Sequence, residues 1–261
     1  MAVVHVAILG CGYTGSRVAD LMRARGADVV ATNTAAFDVT SPSARIELPE
    51  GVTVLHSIPV RAMRVLGPML AGRASRVVYL STTGVYGAAH HVDEHTAVAP
   101  RSPREQVRVD EENDVLAGPW SSLILRPAAI YGPGRGVQVS LAEGRHRMLG
   151  DGSNFISRIH VEDLAAIAAA ALASGLTGAY PVADDEPCQA REITDFCARL
   201  LGIDPPQPSG YLPTADTRSA NRRVDGRAIR RLLGIGLRYP SYREGVPASL
   251  ASSSLSAAEP A

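Results

Sequence analysis

Three glycines in a GxGxxG spacing, Gly10, Gly12 and Gly15, stand directly between an apolar run, Val3 to Leu9, and a helix-like stretch, Gly15 to Arg25. In that setting the first glycine permits a tight turn, the second lets the backbone approach a pyrophosphate, and the third allows close contact of helix and strand. The amides at the helix start and the positive end of its dipole favour an anion there. The expected dinucleotide contacts in the loop are Gly10, Gly12, Tyr13, Thr14 and Gly15, with a ligand-free glycine turn as the alternative. Cys11 reads as a small loop residue rather than a thiol activated by the dipole.

The chain then keeps alternating short buried-strand runs with helical stretches, the pattern of a parallel sheet covered by helices on both faces. Asp28 to Thr32 reads as the second strand, Phe37 to Val39 as a short third, Val52 to His56 as the fourth and Arg76 to Ser81 as the fifth. The apolar core of the fifth, Val77 to Leu80, is continuous rather than alternating, as burial on both faces requires. A helix from Arg104 to Leu116 leads to a sixth strand, Ser122 to Arg126. Further helices are expected at His160 to Ala173, Ala190 to Leu201 and Asp225 to Leu233. The fold class is therefore α/β, a Rossmann-type doubly wound parallel sheet.

A carboxylate closing the second strand is the usual clamp for the ribose of NAD, and an arginine nearby accommodates the extra phosphate of NADP. Here the stretch is Ala31-Thr32-Asn33-Thr34, with no acid between Val29 and Phe37, and Arg17 stands at the start of the first helix. The expected cofactor is NAD(P), with NADP favoured over NAD. Asn33, Arg17 and Asp38 join the expected cofactor contacts, as do Ser57 and Ser81 at the ends of the fourth and fifth strands. For Asp38, capping a turn is an equal alternative.

Composition removes several chemistries. All 26 basic residues of the 261 are arginine, balanced by 26 acids. Without lysine there is no Schiff-base chemistry and no GxxxxGK[ST] loop, and arginine stays protonated at neutral pH and does not shuttle protons. Zero net charge argues against a general nucleic-acid binder. No apolar run approaches the ~20 residues of a membrane span, and a strand-like run from Val3 leaves no room for a signal peptide, so a cytoplasmic protein is expected. Cys11, Cys188 and Cys197 suit a reducing compartment and match no metal-site spacing.

Five motifs then occur in one order. After GxGxxG come Leu80-Ser81-Thr82-Thr83-Gly84-Val85-Tyr86-Gly87, Pro100-Arg101-Ser102-Pro103, Leu125-Arg126-Pro127 with Tyr131-Gly132-Pro133, and Ile159-His160-Val161-Glu162-Asp163. Together they resemble the extended short-chain dehydrogenases/reductases, the epimerase/dehydratase group, over about residues 3 to 185. Arg238-Tyr239-Pro240-Ser241-Tyr242-Arg243-Glu244-Gly245 resembles the ending of atypical members. The resemblance implies a dinucleotide-binding domain over 1–131, to which the helix at 160–174 returns, and a smaller substrate domain over 132–248. A tail without structure is expected over 249–261. It further implies dimerisation through helices including 104–116, and a Ser/Thr with a YxxxK pair for hydride transfer. Thr82 matches the Ser/Thr. Arg104 stands where the tyrosine belongs and Arg108 where the lysine belongs, while Glu112 matches an acid further along the helix. Members acting on nucleotide sugars carry an Asn and an Arg where this chain has Ala129 and Ile156, with Arg158 as a substitute from another angle, so that substrate class is disfavoured.

An acid or base must then come from elsewhere, and the candidates are Thr82, Tyr86, Glu94, Tyr131 and His160, with Arg108 donating to a nicotinamide ribose. Tyr86 follows the fifth strand at its carboxyl end, where such sheets hold their ligand; a packing role is the alternative. His160 equally serves as the organiser of a helix start. His90, His91 and His95, beside Asp93 and Glu94, lack the spacing of a metal site and read as solvated. Residues 217 to 243 hold eight arginines against one acid, Asp225, which suits either an anion site centred on Asn221-Arg222-Arg223 or a solvated face. The function expected is an oxidoreductase or epimerase-like enzyme on a small polar or anionic molecule. The alternatives are a non-catalytic NAD(P)-binding regulator and a non-redox isomerase or lyase on the same scaffold.

Overall fold

The computed structural model describes residues 4–33, 35, 37–41, 44–208 and 220–257. Val3, Thr34, Arg218 and residues 258–261 lie outside the described residues. The elements run β1 (His5–Leu9), α1 (Gly15–Ala24), β2 (Asp28–Thr32), β3 (Val52–His56), α2 (Met63–Leu70), β4 (Ala74–Leu80), a 3-10 turn at Thr83–Tyr86, β5 (His91–Val92), α3 (Pro103–Leu116), β6 (Ser121–Pro127) and β7 (Ala129–Tyr131). They continue with α4 (Val137–Ala142), β8 (Phe155–Ile156), β9 (Arg158–His160), α5 (Val161–Leu172), β10 (Gly178–Val182), β11 (Cys188–Gln189), α6 (Ala190–Leu201), β12 (Arg223–Val224), α7 (Arg227–Leu233) and α8 (Tyr242–Ala257).

Six strands form one parallel sheet in the order β10-β6-β4-β3-β1-β2. Residues alternate between its faces: Ile8, Leu55, Val78 and Leu123 pack under α1 and α5, while Leu9, Val54, Val77, Tyr79 and Ile124 pack with residues of α2 and α3. This is a Rossmann-like sheet. The chain leaves β1 toward β2 and returns on the other side as β3, so the order reverses at the carboxyl ends of β1 and β3, the place where such sheets bind ligands.

Two expectations are corrected, and one helix, α2, is added to those the sequence showed. Phe37 to Val39 is not a strand: Phe37 is buried in the core, and the Asp38 carboxylate accepts from the amide and hydroxyl of Thr40, closing a turn. α2 forms despite Gly67 and Pro68 in its interior, because Met63, Leu66 and Leu70 bury one face. The chain from 249 is not a structureless tail but the continuation of α8 through Ala257.

A second cluster lies beside the sheet, formed by Tyr131, Leu141, Cys188, Ile193, Cys197, Tyr242 and Val246. Three two-stranded pairs lie outside the six-stranded sheet: β7 with β9, β8 with β11, and β12 with β5. Among the described residues no helix is long and apolar enough to cross a membrane.

Candidate active site

The glycine loop divides its three roles by position. The amides of Gly10 and Cys11 both donate to the Thr32 carbonyl at the end of β2, at 3.1 and 2.6 Å. Gly10 has φ +94°, and a Cβ there would lie 3.0 Å from the backbone of Ser57 and Ile58. The Ser57 hydroxyl lies between the carbonyls of Leu9 and Gly10, at 3.2 and 2.6 Å, so this serine braces the loop from β3. At Gly15 a Cβ would come 2.5 Å from the Gly10 carbonyl oxygen and 3.2 Å from Ile8, so helix and strand touch only because it is glycine. At Gly12 a Cβ meets nothing within 4 Å. Protein packing does not require a glycine at that position; a diphosphate against the bare backbone does. The loop therefore fits a dinucleotide.

Around the loop the expected contacts behave differently. Thr14 caps α1 and is buried without a side-chain capping bond. Tyr13 sends its hydroxyl to the Pro133 carbonyl at 3.0 Å. Asn33, the residue after β2, is exposed. Arg17 is committed elsewhere: its Nε donates to Glu162 of α5 at 2.7 Å, and its Nη1 donates to the Tyr13 carbonyl at 2.7 Å. Asp38 is exposed, and the Thr40 hydrogen bonds hold its carboxyl below the usual range.

At the carboxyl end of β4 lies a buried network. Ser81, 6% exposed, donates to Glu112 of α3. Glu112 also receives Arg126 of β6 in a two-pronged pair, and Arg126 reaches the Tyr86 hydroxyl at 3.1 Å. Tyr86 is fully buried, and burial raises its phenol above the ordinary value. It holds this network together and has no face open to a substrate. Thr82, half-buried, accepts the Gly84 amide at 3.1 Å and caps the 3-10 turn. Arg108 donates to the Tyr79 hydroxyl at 2.7 Å, and burial pushes that phenol up to about 12. Tyr79 in turn stacks on His56, whose Nε2 pairs with the fully buried Glu111 at 2.7 Å. Arg104, one turn before Arg108 on α3, is exposed.

His160 caps α5, its Nδ1 accepting the Glu162 amide at 3.2 Å, and its Nε2 meets the Ser249 hydroxyl at 3.2 Å. The rings of Tyr131 and Tyr239 enclose it. Burial pushes the imidazole down to about 4, and both ring nitrogens are engaged within the protein. Tyr131 donates to the Ser241 carbonyl and is buried. His90, His91 and His95 are exposed and Glu94 is half-buried.

The arginine-rich segment separates into individual roles. Arg222, 7% exposed, donates to the carbonyls of Thr83, Gly87 and Ala89, tying β12 to the loop after β4. Asn221 accepts the Phe155 amide. Arg227 pairs with Asp225, Arg230 with Asp185, and Arg243 with Glu186 and Glu192. Arg223 lies over Phe155, its guanidinium carbon 3.4 Å from the ring centroid. Arg158, 5% exposed, donates to the Ile156 carbonyl and the Cys188 sulfur. Sequence reading missed Asp184, 2% exposed at the end of β10, whose carboxylate oxygens have no hydrogen-bond partner among the described residues. Burial pushes it up to about 8, against the opposing charge of Arg158. Nothing in the doublet Asp184-Asp185 signals which acid turns inward.

Residues 55–183 match the NAD dependent epimerase/dehydratase family. The chain belongs to this family. Across 150 residues it is 32% identical to the 3-diazoavenalumate denitrifying reductase of a Streptomyces species, a match covering 52% of this chain and 49% of that enzyme. The chain spans about half the length of the curated relatives it matches. A conserved protein of unknown function from Silicibacter pomeroyi DSS superposes with a TM-score of 0.82 at 32% identity, over 96% of this chain and 99% of that one. MoeE5 in complex with UDP-glucose and NAD superposes at 0.80 and 22% identity, over 98% and 100% of the two chains, a likeness of fold.

Proposed function

We propose that this epimerase/dehydratase family member is an NAD(P)-dependent oxidoreductase that reduces a small polar or anionic molecule. The observation that carries the reading is Gly12, a glycine with open space where its side chain would be. The diphosphate would lie against the bare backbone of Gly12, with the amides of Tyr13 and Thr14 at the start of α1 as its donors, while Asn33 would meet the adenosine ribose and Thr82, beside the buried Ser81, the rim nearer the nicotinamide. The bound cofactor supplies or accepts a hydride. Thr82 is the half-exposed hydroxyl available beside the substrate, and Arg108, anchored on Tyr79, orients a ribose or substrate oxygen as a fixed donor. Arg223, placed over the Phe155 ring, suits an anionic substituent. The reductase named among the relatives supports reduction over epimerisation.

NADP is preferred over NAD in this reading because Asn33, rather than an acid, follows the last residue of β2; Arg17 does not carry the preference. Residues 132–248 supply most of a substrate domain, supported by the separate cluster around Tyr131 and Tyr242. Val107 and Leu116, exposed on α3, support a homodimer through that helix, and three free cysteines support a cytoplasmic setting. A non-catalytic NAD(P)-binding regulator is the second reading, favoured by arginine at both 104 and 108.

Calorimetric titration of the protein with NADPH and NADH tests this. Tight binding is expected, with NADPH preferred about tenfold, or about 1.4 kcal/mol. Gly12→Val is expected to abolish binding while leaving the melting temperature unchanged. Binding that survives Gly12→Val removes the cofactor from this loop. Oxidation of NADPH at 340 nm with carboxylate-bearing carbonyl compounds supports the enzyme, whereas a conformational change without turnover supports the regulator.

A further inference from the structure

We propose that Arg135 is a second anion-binding element of the cofactor site, a guanidinium presented beside the glycine loop to meet the dinucleotide's diphosphate. This rests on the dinucleotide reading of that loop. Arg135 lies in none of the motifs above; it follows Gly132-Pro133-Gly134 on the segment between β7 and α4.

The backbone that carries it is fixed. Gly132 and Arg135 exchange two backbone hydrogen bonds, at 2.9 and 3.1 Å, and close a turn. Gln138, 1% exposed, donates its Nε2 to the carbonyls of both residues at 3.0 Å. The turn is joined to the glycine loop through the Tyr13 hydroxyl on Pro133. Gly132, at φ +154°, admits this contact, since a Cβ there would come within 2.7 Å of the Tyr13 hydroxyl and of Val161.

The side chain, in contrast, is open. Two guanidinium groups lie over the Tyr13 ring, Arg17 at 4.5 Å and Arg135 at 5.3 Å from its centroid. Glu162 neutralises the first. Arg135 is exposed and has no acid partner among the described residues, so its charge is uncompensated next to the loop that presents the amides of α1. A planar fork binds phosphate oxygens two at a time. With its backbone already fixed, Arg135 loses only side-chain freedom on binding.

The test is the affinity of wild type, Arg135→Ala and Arg135→Lys for NADPH, NADH and ADP, by calorimetry at two salt concentrations. Arg135→Ala is expected to weaken NADPH and ADP together, about tenfold or more, and to flatten the salt dependence. Arg135→Lys, which keeps the charge and loses the fork, is expected to fall between, and both variants to melt with the wild type. If wild type binds and Arg135→Ala binds both ligands within about twofold of it, the proposal for Arg135 is overturned and the dinucleotide reading stands. If wild type binds none of the three, the dinucleotide reading fails and takes the proposal with it.

Discussion

His160 shows how one residue in a family-like motif can be structural. Its Nδ1 accepts the Glu162 amide, so the proton belongs on Nε2, which donates to the Ser249 hydroxyl; that hydroxyl donates to the Gly245 carbonyl. A second proton on Nδ1 would break the cap, in agreement with a pKa held near 4. Between about 6.5 and 4 the unfolded chain takes up a proton that the folded chain refuses, so stability falls as pH falls through that window, by up to about 3 kcal/mol. Asp184 acts with the opposite sign. Its folded value of about 8 lies above the unfolded carboxylate range, so the folded chain keeps a proton that the unfolded chain loses, and stability falls as pH rises from about 4 to 8. Urea denaturation at pH 4.5, 7 and 9 is expected to show His160→Asn flattening the acid side. Asp184→Asn is expected to raise stability at pH 9 and to change it little at pH 4.5. The sequence placed His160 at the start of a helix and passed over Asp184; which polar group turns inward was not legible, because neighbours from distant segments decide it.

The helix α3 was legible as an element. Ser102 and Glu105 form a reciprocal capping box, Pro103 occupies the first turn, and the helix runs to Leu116. Its interior is not what amphipathic spacing suggests, since Glu111 and Glu112 are buried at 0% and 3%. Glu111 accepts the Ala62 and Met63 amides at the start of α2 as well as His56. Glu112 collects Ser81 and Arg126. A buried arginine that loses its carboxylate is left as an uncompensated charge, so Glu112→Ala is expected to cost about 3 to 5 kcal/mol. Tyr86→Phe, which removes a single hydrogen bond from the same network, is expected to cost about 1 kcal/mol. Equal losses in urea unfolding of the two variants would mean that the network does not centre on the carboxylate. α2, with glycine and proline inside, was not legible locally and exists because the sheet offers its apolar face a surface.

At the scale of the molecule, the ends of the chain are pinned to the middle. Arg222 ties β12 to the loop after β4 across 133 to 139 positions. Asp163 accepts the amides of Arg238 and Tyr239, and α8 delivers Ser249 to His160. Removal of residues 249–261 is therefore expected to lower stability by about 1 to 2 kcal/mol, a fall of several degrees in the melting temperature; an unchanged melting curve would return this segment to the role of a loose tail. The sequence by itself determined five of the six sheet strands, all but β10, together with the glycine loop, the family, and the arginines at 104 and 108, because strand burial, glycine spacing and residue identity are local properties. Tertiary structure alone decided that Arg17 pairs with Glu162, that Arg222 binds carbonyls rather than an anion, and that Tyr86 and His160 are closed to substrate. It also left Arg135 open beside the loop. A charged or polar side chain takes its role from whichever partner desolvation brings to it, and those partners lie tens to more than a hundred residues away.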